Sequence, residues 1–351
     1  MLRAMSGLLR AAAHGRAAAI AFALLLAPGA GVAPPAAAQA DPGGEWAAAA
    51  ALPETNSEIA VAELDGKLYV VGGYPSSRVV TNAVQVYDLA AGRWELGPPL
   101  PAPLHHAVAA GVDGVLYVIG GEFEPSGVAR AGVFQDSVWA YDPRGGASGA
   151  GAWQPRARMP TARSGMAGAS LDGKIYVAGG RPPRGSDFAV YDPAADEWTV
   201  LPGLPTQRNH LAAAAIGGRV YVAGGRFGGG VGSEMTAALE VYDPAANAWS
   251  AKAPLPAPRA GVNGAAAGGC LYVFGGEGND AHPQGVFGDV DVYDPGADAW
   301  RALAPLPVAV HGVTGAPVVD GRIHLAGGGT ARGGSSGSTL HQVFRPAAVC
   351  G

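Results

Sequence analysis

The chain has 351 residues, 48% of them hydrophobic, with 56 glycines, 29 prolines and only 15% charged side chains. So little charge argues against a disordered chain, and so much glycine and proline calls for many turns and short strands. The formal net charge is -5, which lacks the basic balance of a nucleic-acid binder.

The first 40 residues read as a secretory leader. Arg3, Arg10 and Arg16 form a basic region without acids, residues 17–26 a short apolar core, and Ala38-Gln39-Ala40 a small-residue cleavage pattern. The apolar core is about half the roughly 20 residues needed to span a bilayer, and no later stretch is apolar enough to span. The expectation is therefore an exported bacterial protein, periplasmic or secreted, with no membrane attachment once residues 1–40 are removed. Residues 41–351 then form one domain.

From there the chain repeats. A β-rich run ending in Gly-Gly occurs six times, with the first glycine at 72, 120, 179, 224, 275 and 327. Ahead of each run lies an Ala/Gly-rich segment, and between the two stands Asp-Gly or Gly-Gly, a two-residue hairpin signal. After each Gly-Gly comes a run ending in Tyr-Asp, at Asp88, Asp142, Asp192, Asp243 and Asp294, decayed to Val343-Phe344-Arg345 in the last copy. A lone Trp follows at 94, 153, 198, 249 and 300, and Leu-Pro or Met-Pro precedes each copy. The sixth copy has no Trp of its own. An unmatched Trp46 lies at the start, so the N-terminal segment is expected to supply the outer strand of the last repeat and close a ring.

The spacing of about 50 residues exceeds the roughly 40–45 of WD-type blades. With its Gly-Gly, Tyr-Asp and Trp marks, the chain resembles the kelch-repeat β-propellers over about residues 45 to 345. The resemblance implies an all-β fold: a six-bladed kelch propeller of four-stranded antiparallel blades. It also implies a binding module for a glycan, peptide or protein partner, since such propellers commonly serve that way. A more distant resemblance to exported N-acetylneuraminate epimerases implies the alternative of a mutarotase acting on an acidic sugar. A galactose-oxidase-like copper site is not expected, because that family has seven blades and a cysteine-tyrosine cross-link for which no cysteine is spare.

The two cysteines, Cys270 and Cys350, fall on one face of adjacent blades if strand directions alternate. A disulfide between them is expected, two buried free thiols being the alternative. The opposite face, at the channel mouth, gathers the starts of the inner strands and the loops after Gly-Gly. Counting ten residues back from each hairpin glycine gives a ring of Asn56, Leu104, Arg163, Arg208, Arg259 and His311. The residues after Gly-Gly give a second ring: Tyr74, Glu122, Arg181, Arg226, Glu277 and Gly329. Arginine forks suit carboxylate or phosphate. Tyr74, His106, Glu122, Arg163, Arg181, Arg208, Arg226, Arg259, Glu277 and His311 are the candidate ligand-binding residues. The alternative for Arg163, Arg208 and Arg259 is a structural role within the repeat.

No metal site and no cofactor are expected. His105, His106, His210 and His311 belong to strands that are not all adjacent, and neighbours along a strand face opposite sides. The string Gly333-Gly334-Ser335-Ser336-Gly337 matches a nucleophile elbow in letters only, because it lies in a Gly/Ser loop rather than between a strand and a helix. A monomer is expected.

Overall fold

A computed structural model describes residues 43–75, 79–123, 132–145, 151–347 and 350. The proposed leader, residues 1–40, lies outside them. The described residues form no α-helix; they build six antiparallel blades around a central axis. Letters a to d denote the strands of a blade from the axis outward. Blade one comprises Ile59–Leu64, Lys67–Val71, Val84–Asp88 and Arg93–Leu96, and blades two to five repeat that order.

The a–b hairpins turn where Asp-Gly or Gly-Gly stands. Asp65, Asp113, Asp172 and Asp320 take φ of 48–51°, each followed by a glycine also at positive φ. That is the turn whose twist matches paired strands. At Gly72, the first of a Gly-Gly pair, a Cβ would sit 2.1 Å from the Leu104 carbonyl of the next blade. Glycine there lets successive blades approach.

Blade six is closed by the chain start. Gly44–Ala48 pairs antiparallel with His341–Pro346, placing Trp46 opposite Phe344. In the other blades Trp of strand d packs on Tyr of strand c, with ring centroids 5.0–5.3 Å apart. Trp46 and Phe344 repeat that contact at 4.8 Å. The indole N–H then ties each blade to the one before: Trp94 donates to Ala50 O, Trp198 to Ala157 O and Trp300 to Ala253 O, at 2.7–2.9 Å. The core consists of clusters shared between neighbouring blades, such as Val108, Ile119 and Met166 with Ile175 and Val177.

Blade six departs from the pattern. Its inner strand is broken into Val313–Thr314, which pairs parallel with blade one, and Val318–Val319, which pairs within blade six. Gly315 and Pro317 separate the pieces. Opposite the mouth, Cys270 and Cys350 form a disulfide with Cα atoms 5.2 Å apart.

Candidate ligand-binding mouth

Each inner strand begins beside the axis with a residue in the left-handed region. These are Glu58, His106, Gly165, His210, Gly261 and Gly312, at φ of 54–70°. Their backbones form a closed hydrogen-bonded circle. The N–H of His106 donates to Glu58 O, Gly165 to His106 O, His210 to Gly165 O, Gly261 to His210 O and Gly312 to Gly261 O; Ile59 N–H closes the ring on Gly312 O, all at 2.8–3.1 Å. A side chain in this backbone state costs about 1–2 kcal/mol. Glycine fills the position in blades three, five and six, whereas blades one, two and four keep Glu58, His106 and His210.

The glycines leave room for those three side chains. A Cβ on Gly165 would lie 3.1 Å from the His210 ring, and one on Gly312 would lie 3.0 Å from the Glu58 carboxyl. The three side chains therefore converge on the axis, against the expectation that the histidines stay apart. They line a cavity of about 20 Å³, room for about one water. Glu58 Oε2 lies 2.9 Å from His106 Nε2. One donor atom from each of Glu58, His106 and His210 falls within 4.8 Å of the others.

Around this centre the residues after Gly-Gly form the next shell. Arg226 Nη2 donates to His210 Nε2 at 2.8 Å while its Nη1 bonds Glu277 Oε1. Arg181 Nη2 donates to His106 Nε2 at 3.1 Å and Nη1 to Gly229 O at 2.8 Å; its Nε lies 3.6 Å from Glu122 Oε2. Ser164 Oγ donates to the same Glu122 oxygen at 3.1 Å. Tyr74 packs on the His105 ring at 4.6 Å, and its hydroxyl lies 3.1 Å from His105 Nδ1. His311 Nε2 bonds Ala331 O at 2.7 Å.

Electrostatics follow burial. Burial alone would raise the Glu58 carboxyl, but His106, His311 and Arg226 outweigh it and hold the group well below the usual carboxylate range. Burial, then the cations Arg226 and Arg181, pushes His210 far below the ordinary histidine value. Burial, then His106, lowers His105 to about 2. His210 and His105 are thus neutral imidazoles.

Two expectations need correction. Arg163, Arg208 and Arg259 are at most 1% exposed and do not face the mouth. Arg163 Nη1 donates to Gly179 O and Asp187 O, Arg208 Nη1 to Glu240 Oε2 at 2.5 Å, and Arg259 Nη2 to Asp291 Oδ2 at 2.6 Å. They turn into their own blades because strand c supplies carboxylates there in blades four and five, and the segments flanking the b–c loop supply carbonyls in blade three. His311 is not the sixth member of that ring. Gly225 N–H bonds Arg259 O, and the equivalent Gly276 N–H bonds Val310 O. Blade six has one extra residue before its hairpin, which shifts the count. His311 instead matches His105 and Asn209, each bridging the residue after Gly-Gly.

Tyr74, His106, Glu122, Arg181, Arg226, Glu277 and His311 are brought together at the mouth. Glu58 and His210 join them without having been among the candidates. Their signal was the glycine at the same position of three other repeats. The loop of residues 226–236 lies over Arg181 and carries Phe227 and Val231, 37% and 40% exposed.

Fold and site define a six-bladed propeller with a polar, partly covered channel mouth. The protein-family model for the KLHDC2/KLHL20/DRC7 Kelch-repeats domain matches residues 45–225 and again 154–328. The chain belongs to this kelch-repeat family, whose propellers typically serve as protein-interaction modules. Kelch-like protein terF of Aspergillus terreus is 29% identical over 260 residues, covering 56% of this chain and 56% of that protein. Kelch-like protein 34 of Homo sapiens is 34% identical over 192 residues, covering 55% of this chain and 24% of that protein. The matches thus span about half or less of these curated relatives. A solved structure titled "Structure of YjhT" aligns with a TM-score of 0.67 at 19% identity, covering 84% of this chain and 95% of that one, which supports the fold.

Proposed function

We propose that this chain is an exported recognition module that binds an anionic group of a glycan, peptide or protein partner at the channel mouth. The observation that carries the reading is Arg181. Its side chain is 20% exposed, and His106 and Glu122 hold it in place. A positioned guanidinium beside exposed Phe227 and Val231 combines a polar anchor with an apolar contact, the usual composition of a ligand site. Arg226 lies deeper, 2% exposed and paired with Glu277, and supports the framework rather than the ligand.

One observation favours a second reading, anomer exchange on an acidic sugar such as N-acetylneuraminate. Glu122 stands beside Arg181, so a sugar carboxylate on the arginine brings its ring near a carboxylate base. Ring opening needs one proton removed from the anomeric hydroxyl and one delivered to the ring oxygen, which is general acid-base work.

A thermal-shift screen with acidic sugars, neutral sugars and acidic peptides tests both. A ligand specific to the folded state at 100 times its Kd adds about 2.7 kcal/mol. A shift with anionic ligands alone, abolished by Arg181→Ala, supports recognition at this mouth. An anomer-exchange rate lost in Glu122→Gln moves the account to the enzyme reading, and equal shifts with neutral sugars refute the anionic assignment.

A further inference from the structure

The charges at the mouth do not close among the described residues. Each arginine already has its own carboxylate: Arg181 faces Glu122, Arg226 pairs with Glu277, and Arg332 bonds Asp280 at 2.6 Å. Glu58 is left over. It is 5% exposed, and its nearest charge partners are imidazoles: His106 Nε2 at 2.9 Å and His311 Nδ1 at 3.8 Å. Buried carboxylates are paired with a cation or coordinate a metal.

The imidazoles are set as ligands. His210 Nδ1–H donates to Asn209 Oδ1 at 2.6 Å, which leaves Nε2 as an acceptor, met in this structure by Arg226 Nη2 at 2.8 Å. His106 turns Nδ1 toward His105 Nδ1 and Nε2 toward Glu58. Outer hydrogen bonds of this kind fix the tautomer and orientation of metal-bound histidines. His311 gives an independent sign. It is fully buried, its Nε2 is bonded to Ala331 O, and its Nδ1 has no hydrogen-bond partner while lying 3.8 Å from both Glu58 Oε1 and Glu277 Oε2. This orphan nitrogen beside Glu58 shows that hydrogen bonding at the axis is incomplete among the described residues.

We propose that Glu58, His106 and His210 hold a first-row divalent cation of the zinc class on the propeller axis, beneath the mouth. Two imidazole nitrogens and one carboxylate are a donor set suited to such ions. The bound cation replaces the guanidinium contacts of Arg181 and Arg226 on the two Nε2 atoms, leaving each arginine to its own glutamate. The proposal does not depend on which ligand occupies the mouth.

The glycines of blades three, five and six supply the variants. Chelator-stripped full chain is titrated with zinc chloride by calorimetry, and with cobalt chloride by visible absorbance. The expected result is one equivalent of zinc and a tetrahedral-type cobalt spectrum. Glu58→Gly and His210→Gly each install the residue that other blades carry at the same backbone position. They are expected to lose zinc affinity by about 100-fold or more, with a Tm in chelator no lower than that of the unchanged chain. His282→Ala, an exposed histidine in the blade-five loop, leaves the affinity unchanged. Failure of the unchanged chain to take up zinc overturns the proposal. Undiminished affinity in the two glycine variants, or loss of binding in His282→Ala, also overturns it.

Discussion

Replacing Arg208 by alanine separates the two readings of the arginine ring. Arg208 is fully buried; its Nη1 bonds Glu240 Oε2 at 2.5 Å and Thr206 O at 2.8 Å, and its Nη2 bonds Val222 O at 3.0 Å. Truncation leaves Glu240, 4% exposed, with only the Thr206 N–H and hydroxyl as partners. Breaking one side of a buried ion pair costs about 3–5 kcal/mol. Urea unfolding of Arg208→Ala is expected to show a midpoint lowered by that free energy divided by the slope, the slope itself being unchanged. In Arg208→Met combined with Glu240→Leu most of the loss returns, because no buried charge is stranded. Ligand affinity of the folded fraction stays the same in both. An unchanged midpoint together with lost binding would refute the structural assignment and return Arg208 to the mouth.

Three further outcomes follow from the packing. The disulfide closes a separation of 80 residues, so Cys350→Ser is expected to lose about 4 kcal/mol in the chain-entropy account, read as a lower urea midpoint; no change means that the tail contributes nothing to stability. Trp46→Ala removes the ring that packs on Phe274 and Phe344 and is expected to cost about 3 kcal/mol, with earlier hydrogen exchange along residues 341–346 than in any other strand c. Burial lowers His324 and His341 to about 4, and His324 Nδ1 lies 3.0 Å from His341 Nε2. The unfolded chain therefore takes up protons from pH 6.5 downward that the folded chain refuses until about pH 4. Each such histidine weakens folding by about 1.4 kcal/mol per pH unit across that window. A urea midpoint flat from neutral pH to pH 4 contradicts that sign.

The blades were legible because the signals that make them are local. Asp-Gly turns, Gly-Gly approaches and Tyr-Trp pairs depend on a few neighbouring residues and recur from blade to blade. Even ring closure followed from bookkeeping of one tryptophan, Trp46. The site was less legible because it depends on side-chain direction. Arg208 and Arg226 both read as mouth cations, yet strand c places Glu240 behind the first. A signal existed: Arg208 to Glu240 and Arg259 to Asp291 have the same separation of 32 residues. Glu58 and His210 fall at the same count as His106, but the assumption of extended strands kept their side chains from converging on one site. Neighbours alternate sides in an extended strand, but a left-handed residue breaks that alternation and turns its side chain to the axis. His311 was misplaced because Gly315 and Pro317 lengthen blade six.

The most direct measurement of the central claim is calorimetry of an acidic ligand from the screen against three chains. In the unchanged chain the account predicts one site. Arg181→Ala abolishes binding while lowering the urea midpoint far less than Arg208→Ala does, because Arg181 and its partner Glu122 are both partly exposed at the mouth. Lys67→Ala, at the a–b hairpin of blade one on the opposite face, binds as the unchanged chain does. Binding that survives Arg181→Ala and disappears with Lys67→Ala would place the ligand on the other face and contradict the account.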